Sequence, residues 1–176
     1  RYKGKVWLGF APAVTLEFQQ TEMIVPRPKF REHAQIAAMN GYGSPFGLSV
    51  KFPTQVEIDG KRERSISAVL GDFSGRDIQY RPDYSIDPYT IPSYSYSDVL
   101  AGRVDAQKFR GKAVIIGEAF LESGDFYVIP FTAGKIPGAY FHVIGAHTLK
   151  RGTPFDLMWY PAILIVGLTI ALQVLR

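Results

Sequence analysis

KAVIIG, at Lys112–Gly117, places four consecutive apolar residues between a lysine and a glycine. A short apolar run bounded by turn residues is typical of a strand that is buried on both faces, as in a parallel sheet covered by helices. Further along, Ala139–Arg151 has helical spacing, because its apolar residues recur on one face. That inner face comprises Phe141, Ile144, Thr148 and Leu149. The sequence therefore predicts an α/β fold with a mixed or mostly parallel sheet flanked by helices.

Two other segments carry clear local signals. Asp59-Gly60 lies between runs of alternating apolar residues, and this dipeptide tolerates the positive φ angles of a type I′ turn. We expect a hairpin there, with strands at about 54–58 and 62–70. The segment Phe30–Met39 places alanines on one helical face and is followed by Asn40-Gly41, which predicts a short surface helix with a glycine stop.

The C-terminal run Leu157–Leu175 contains no charged residue. Its nineteen positions would form a helix of roughly the ~30 Å thickness of a bilayer core. Trp159 and Tyr160 lie at its head, where interfacial aromatic residues are favoured. We therefore expect a water-soluble domain at residues 1–153 that is tethered to a bilayer by a transmembrane helix at 157–176, with lipid and other transmembrane helices as partners. The alternative is a helix wholly buried in a larger assembly.

Composition narrows the function classes. The formal charge of +4 is spread along the chain, so it suits an anionic membrane surface better than nucleic acid, and we expect no nucleic-acid partner. Cysteine is absent, which excludes disulfides, thiolate metal sites and a cysteine nucleophile. The hydrophobic content of 47% is ample for one packed domain.

Catalytic and cofactor motifs are missing. No G-x-S-x-G is present, and the glycines of Gly41–Gly47 fail the G-x-G-x-x-G pattern because Phe46 occupies the third position. His142 and His147 are five residues apart and would diverge on a helix, so they do not suit a shared metal. We expect no enzymatic activity, no bound metal and no cofactor.

A loop rich in proline and tyrosine, 81–96, offers the best ligand chemistry. Tyrosine rings can pack on the domain surface or stack on a sugar or aromatic ligand, and both interpretations remain open. Ligands of open parallel sheets collect where strands end, which would place a site between this loop and the loop after Gly117. The candidate ligand-binding residues are Arg81, Tyr94, Tyr96, Glu118 and Asp125. Arg81 would pair with an anionic ligand or with Asp125 itself.

Three segments, in order, carry a family resemblance: DGKRERSI from Asp59, YTIPSYSYSDVLAGRVDAQKFRGKAVIIGEA from Tyr89, and PGAYFHVIGAHTLKRG from Pro137. With Asp125 and Pro130 at matching positions, they resemble the C-terminal part of the CHASE type 2 extracellular sensory domain. The resemblance implies that residues 1–153 are the C-terminal portion of a longer domain on the periplasmic or extracellular face. It also suggests a ligand role for His142.

Two functional hypotheses follow from this resemblance. The first is a sensory input domain of a membrane signalling protein, with an unknown ligand and with an output module beyond this chain. The second is a non-catalytic structural or scaffold subunit of a larger membrane complex, built on the same fold. Either would act as a homo-oligomer or together with other subunits of a membrane complex.

Overall fold

The structure is a computed structural model that describes residues 6–15, 20–43, 49–120, 125–129, 134–153 and 160–174. Its strands are β1 Trp7–Thr15, β2 Gln20–Ile24, β3 Gln35–Ala38, β4 Tyr42–Gly43, β5 Ser49–Pro53, β6 Gln55–Ile58, β7 Lys61–Arg64, β8 Gln79–Tyr80, β9 Phe126–Val128 and β10 Lys135–Pro137. Its helices are α1 Pro28–Arg31, α2 Ile66–Leu70, α3 Tyr96–Leu100, α4 Gly138–Arg151 and α5 Tyr160–Val174. Two 3-10 turns, Pro88–Thr90 and Ala106–Phe109, flank α3. Helices and strands are interspersed, which confirms the α/β class.

The strands form small sheets. β1 is the central strand of a three-stranded sheet, where it runs antiparallel to β2 and parallel to β3, with Trp7 opposite Gln35. The pairs β4–β5, β5–β8, β6–β7 and β9–β10 are antiparallel. The prediction of mixed sheets is confirmed. The prediction of a mostly parallel sheet is wrong, because parallel pairing between described strands is confined to β1 and β3.

The larger hydrophobic core forms around α4. The predicted inner face of this helix is buried, and it packs on α2 and on the strands that precede the helix. The Phe141 ring lies 4.1 Å from the Phe52 ring, centroid to centroid. Burial of one such side chain stabilises a fold by ~1.5–3 kcal/mol. The helical periodicity read from the sequence is therefore confirmed, and the larger core is packed around α4.

A second, smaller core joins β1 to the hairpin. Phe10, Ala38 and Ile58 are buried together there. The predicted hairpin is confirmed: β6 and β7 pair antiparallel, and φ is 50° at Asp59 and 72° at Gly60, as a type I′ turn requires.

The predicted helix at Phe30–Met39 is wrong. Only α1 is helical there, with Pro28 at its first position, and the chain then enters β3. Ala37 and Ala38 are fully buried in β3, where they pair with β1. The alanines that suggested a helical face instead lie in β3, where their small side chains allow close packing beside β1.

The predicted strand at 62–70 is also wrong beyond Arg64. Ser65 starts α2 instead, because its hydroxyl accepts a hydrogen bond from the Ala68 amide at 3.2 Å. An N-terminal serine cap of this kind satisfies an amide that a helix would otherwise leave unpaired. The alternating apolar residues of 66–70 thus lie on a short helix.

The strand prediction for Lys112–Gly117 is wrong as well. Residues 112–119 form no strand, and no described strand pairs with them. Val114 is 53% exposed and Ile116 is 76% exposed, whereas Ile115 is half-buried. Four apolar residues in a row are buried on both faces only where neighbouring strands flank the segment, and the described chain supplies none.

The C-terminal helix α5 has 15 residues, and all of its side chains are exposed. Within the described part of the chain, every helix falls short of the length and apolarity that a membrane crossing requires. The predicted span Leu157–Leu175 includes residues 157–159 and 175, which lie outside the described residues.

Candidate functional site at the start of α4

The first turn of α4 is the place where several predicted site segments meet. The Gly138 amide donates a 2.9 Å hydrogen bond to the Asp125 carbonyl oxygen, so Asp125, directly before β9, is fixed to the helix start. A side chain at Gly138 would collide with the Asp125 carboxylate. That carboxylate therefore lies at the positive end of the helix dipole, where a negative charge is stabilised.

The segment that carries Glu118 reaches the same end of α4. A Cβ atom at Gly117 would lie only 2.8 Å from the Ala139 Cβ. The neighbouring Glu118 is exposed. Glu118 and Asp125 are therefore carried by two segments that both contact the beginning of the same helix.

The tyrosine-rich loop is attached to α4 by a side-chain hydrogen bond. The Tyr140 hydroxyl donates to the Ser93 hydroxyl at 2.7 Å. The next loop tyrosine, Tyr94, packs edge-on against Phe109 with 5.5 Å between centroids, and the Lys108 ammonium lies 5.0 Å from its ring. This loop is thus held next to the helix start by its own polar and aromatic contacts.

Two of the predicted residues present their side chains to solvent. Tyr96 begins α3 and is 60% exposed. Arg81 is exposed at the start of the loop, and its charge opposes the rise in the pKa of Tyr84 that burial causes. An exposed ring and an exposed guanidinium are able to stack on, or pair with, a small molecule.

His142 lies in the core and not on this surface. Its Nδ1 atom is 3.4 Å from the Ser67 hydroxyl, and its ring stacks on Phe52 with 5.2 Å between centroids. Burial lowers the pKa of His142 to about 4, because charging a desolvated imidazole is unfavourable. The histidine is therefore neutral over the physiological range.

The same core contains polar groups that the sequence did not single out. A Cβ atom at Gly145 would lie 2.8 Å from both the Ser67 and the Tyr80 hydroxyl oxygens, so these groups approach the helix backbone closely. The Tyr80 hydroxyl is buried beside Ser67, and burial raises the pKa of Tyr80, which the Ser67 hydroxyl partly opposes. In the sequence, Gly145 was the residue that could have indicated this close approach, because it lies three residues after His142 on the same helix face.

The geometry of this buried cluster argues against nucleophilic catalysis. A serine next to a histidine suggests acyl transfer, but Ser67 is fully buried and offers a substrate no access. Within the described residues, no three histidine or acidic side chains group as metal ligands do. The polar cluster therefore contributes to the packing of the core.

The predicted membrane-interface residues lie at the other end of the chain. Tyr160 opens α5 and is 72% exposed, whereas Trp159 lies outside the described residues.

Comparison with known proteins gives one match. The model of the CHASE2 domain family matches residues 5–175, which is nearly the whole chain. No match was found among curated proteins or among solved structures.

Proposed function

The chain belongs to the CHASE2 family of extracellular sensory domains, and on this premise we propose that it is the input domain of a membrane signalling protein. The family match over residues 5–175 is the observation that carries the proposal. CHASE2 domains are sensory and not catalytic, and they lie outside the cytoplasm.

The proposed ligand site is the exposed surface at the start of α4. Glu118 and Asp125 supply acidic groups from the segments that contact this helix turn. Arg81, whose neighbour Asp83 donates through its amide to Thr148 further along α4, supplies a cation from the start of the tyrosine-rich loop. The rings of Tyr94 and Tyr96 add stacking surfaces. A small polar molecule with an aromatic or sugar face suits this set, because a few polar groups fix its orientation while the rings bury its apolar face.

A thermal-shift experiment tests this site. The full chain is heated in mild detergent with glucose, succinate or indole, which probe sugar, anion and aromatic recognition. Ligand that binds only the folded state raises the melting temperature by mass action. We expect a rise with one of these probes that Tyr96→Ala abolishes and Tyr89→Ala retains, because Tyr89 is an exposed tyrosine of the same loop outside the predicted set. Unchanged melting with all three would count against the site.

Membrane attachment is proposed for the region 157–176. The helix α5 supports it, because fifteen consecutive residues from Tyr160 to Val174 lack charge and are all exposed. Apolar surface of that extent is unfavourable in water and favourable in hydrocarbon. Other transmembrane helices would then be its natural neighbours.

Vesicle flotation tests the attachment. The full chain, mixed with phosphatidylcholine vesicles containing phosphatidylglycerol, should float with the lipid. Leu168→Arg should reduce flotation severely, since a buried guanidinium is costly in a bilayer core, and Leu168→Ala is the matched control. A wild-type chain that stays in the dense fraction would refute lipid contact by this helix.

The exposed apolar segment around Ile116 favours a second function, a structural subunit of a larger membrane complex. A contiguous patch of exposed apolar residues is typical of a protein–protein or membrane interaction surface. Under this alternative, none of the three probes would change the melting temperature, and the chain would copurify with other membrane subunits.

A further inference from the structure

The segment Lys112–Glu118 has the character of an unpaired β-strand. Residues 113–119 make no backbone hydrogen bond within the described residues. Backbone amides and carbonyls that bond only to water are usual in polar loops, whereas this segment is apolar. Val114 and Ile116 are exposed, whereas Ile115 between them is half-buried. Ala113 and Gly117 are exposed as well, so the strand character of the segment lies in its apolar run and in the lack of backbone partners among the described residues.

Part of one face of the segment lies against α4, although Gly117 itself remains exposed. Gly117 lies against Ala139 of α4, and in an extended chain Ile115 points to the same side as Gly117. Val114 and Ile116 then point to solvent. An exposed apolar strand with free amides and carbonyls is a template for pairing with another strand.

The charge pattern of the segment indicates which strand pairs with it. If two copies pair antiparallel about Ile115, Lys112 of each lies opposite Glu118 of the other. Val114 then lies opposite Ile116, and Ile115 lies opposite itself on the two-fold axis. Both charged side chains are exposed, and neither makes an ion pair within the described residues.

We propose that Lys112–Glu118 is a homodimerisation strand that pairs with its own copy in this two-fold register. Apolar pairs lie at the centre and opposite charges at both ends, and each kind of pair stabilises neighbouring strands. A C2 interface requires such self-complementarity.

The size of the interface sets its strength. Seven residues per copy bury less than the ~800 Å² per partner of a stable complex. The dimer is therefore expected to be weak and dependent on concentration, so that sedimentation velocity should show a monomer–dimer equilibrium that shifts with dilution.

Charge reversal tests the register. Lys112→Glu would place two acidic pairs across the interface and should weaken dimerisation roughly tenfold. Glu118→Lys should do the same, and the double variant with both changes should restore the parent affinity. Lys61→Glu, an exposed reversal in β7, is the matched control and should have no effect. Failure of the double variant to recover would overturn the proposed pairing.

A cysteine experiment tests the axis, because the chain has no native cysteine. Residues directly opposite in antiparallel strands have Cα atoms ~4.5–5.5 Å apart, within the range of a disulfide. Ile115→Cys should therefore form a covalent dimer on oxidation. Ala113→Cys should not, since its two copies would be four positions out of register, ~14 Å apart along the strand. Equal cross-linking of both variants, or of neither, would refute the two-fold axis at Ile115.

Discussion

Acidification should destabilise the folded chain through His142. The imidazole is buried against Phe52, and its pKa is lowered from 6.5 to about 4. Between those two pH values the unfolded state binds a proton that the folded state excludes. Stability from this group is therefore fully present above pH 6.5 and is lost progressively as the pH falls towards 4.

The magnitude follows from the same pKa difference. Each unit between the folded and unfolded pKa corresponds to ~1.4 kcal/mol. A change from 6.5 to about 4 therefore removes on the order of 3 kcal/mol from the free energy of unfolding. That is a large fraction of the ~5–15 kcal/mol by which domains are stable.

Asp83 titrates in a lower window. The Ser85 hydroxyl and amide donate to its carboxylate and lower its pKa below 3.8, so its contribution is lost only at more acidic pH. A fall in stability between pH 6.5 and 4 can therefore be separated from this carboxylate.

Urea denaturation followed by circular dichroism at pH 7.5, 5.5 and 4.2 measures the effect. His142→Asn places an amide nitrogen near the Nδ1 position without a titrating group, so it should flatten the pH dependence whatever its stability at pH 7.5. His147→Asn changes an exposed histidine on the same helix and should leave the dependence intact. A parent chain equally stable at pH 7.5 and 4.2, or a His142→Asn variant that retains the full loss, would refute the assignment.

Three further substitutions test the packing. Gly145→Ala should destabilise the chain by ~1–3 kcal/mol in urea denaturation, because its methyl group would lie 2.8 Å from the Tyr80 hydroxyl; an unchanged midpoint would contradict this close approach. Ser65→Ala should cost ~1 kcal/mol through loss of the cap on the Ala68 amide, and a neutral result would show that the cap is dispensable. Ile115→Asp should shift the melting temperature by only a few degrees, since this half-buried residue lies outside every described sheet; complete unfolding would restore the central-strand interpretation.

Local patterns predicted the elements whose causes are local. The spacing of Phe141, Ile144 and Leu149 is helical, and this face is buried in α4. Asp59-Gly60 adopts the positive φ angles that its residue types permit, and the hairpin follows. In both cases the residues that carry the signal also make the contacts.

Predictions failed where the structure depends on distant partners. Ala37 and Ala38 suit a helix equally well, and only pairing with β1 makes them a strand. The apolar run around Ile115 resembles a buried strand, but no strand lies beside it in the described chain. Periodicity reports the character of a segment and not the presence of its neighbour.

The candidate site was predictable in part for the same reason. Chain order indicated that the loop bearing Tyr94 and the loops bearing Glu118 and Asp125 carry suitable groups. That these segments contact the start of α4 depends on tertiary packing at Gly117 and Gly138. The residue His142 was singled out by resemblance alone, and its burial became visible only in the fold.

The central claim, that the domain lies outside the cytoplasm, is tested most directly by labelling it from outside the cell. Asp72→Cys introduces an exposed thiol into a chain whose 176 residues include no cysteine, and the parent protein without this change is the labelling control. In intact cells that produce the protein from its own gene, a membrane-impermeant maleimide should label this thiol without lysis. Labelling that requires permeabilisation of the cytoplasmic membrane would contradict an extracytoplasmic input domain.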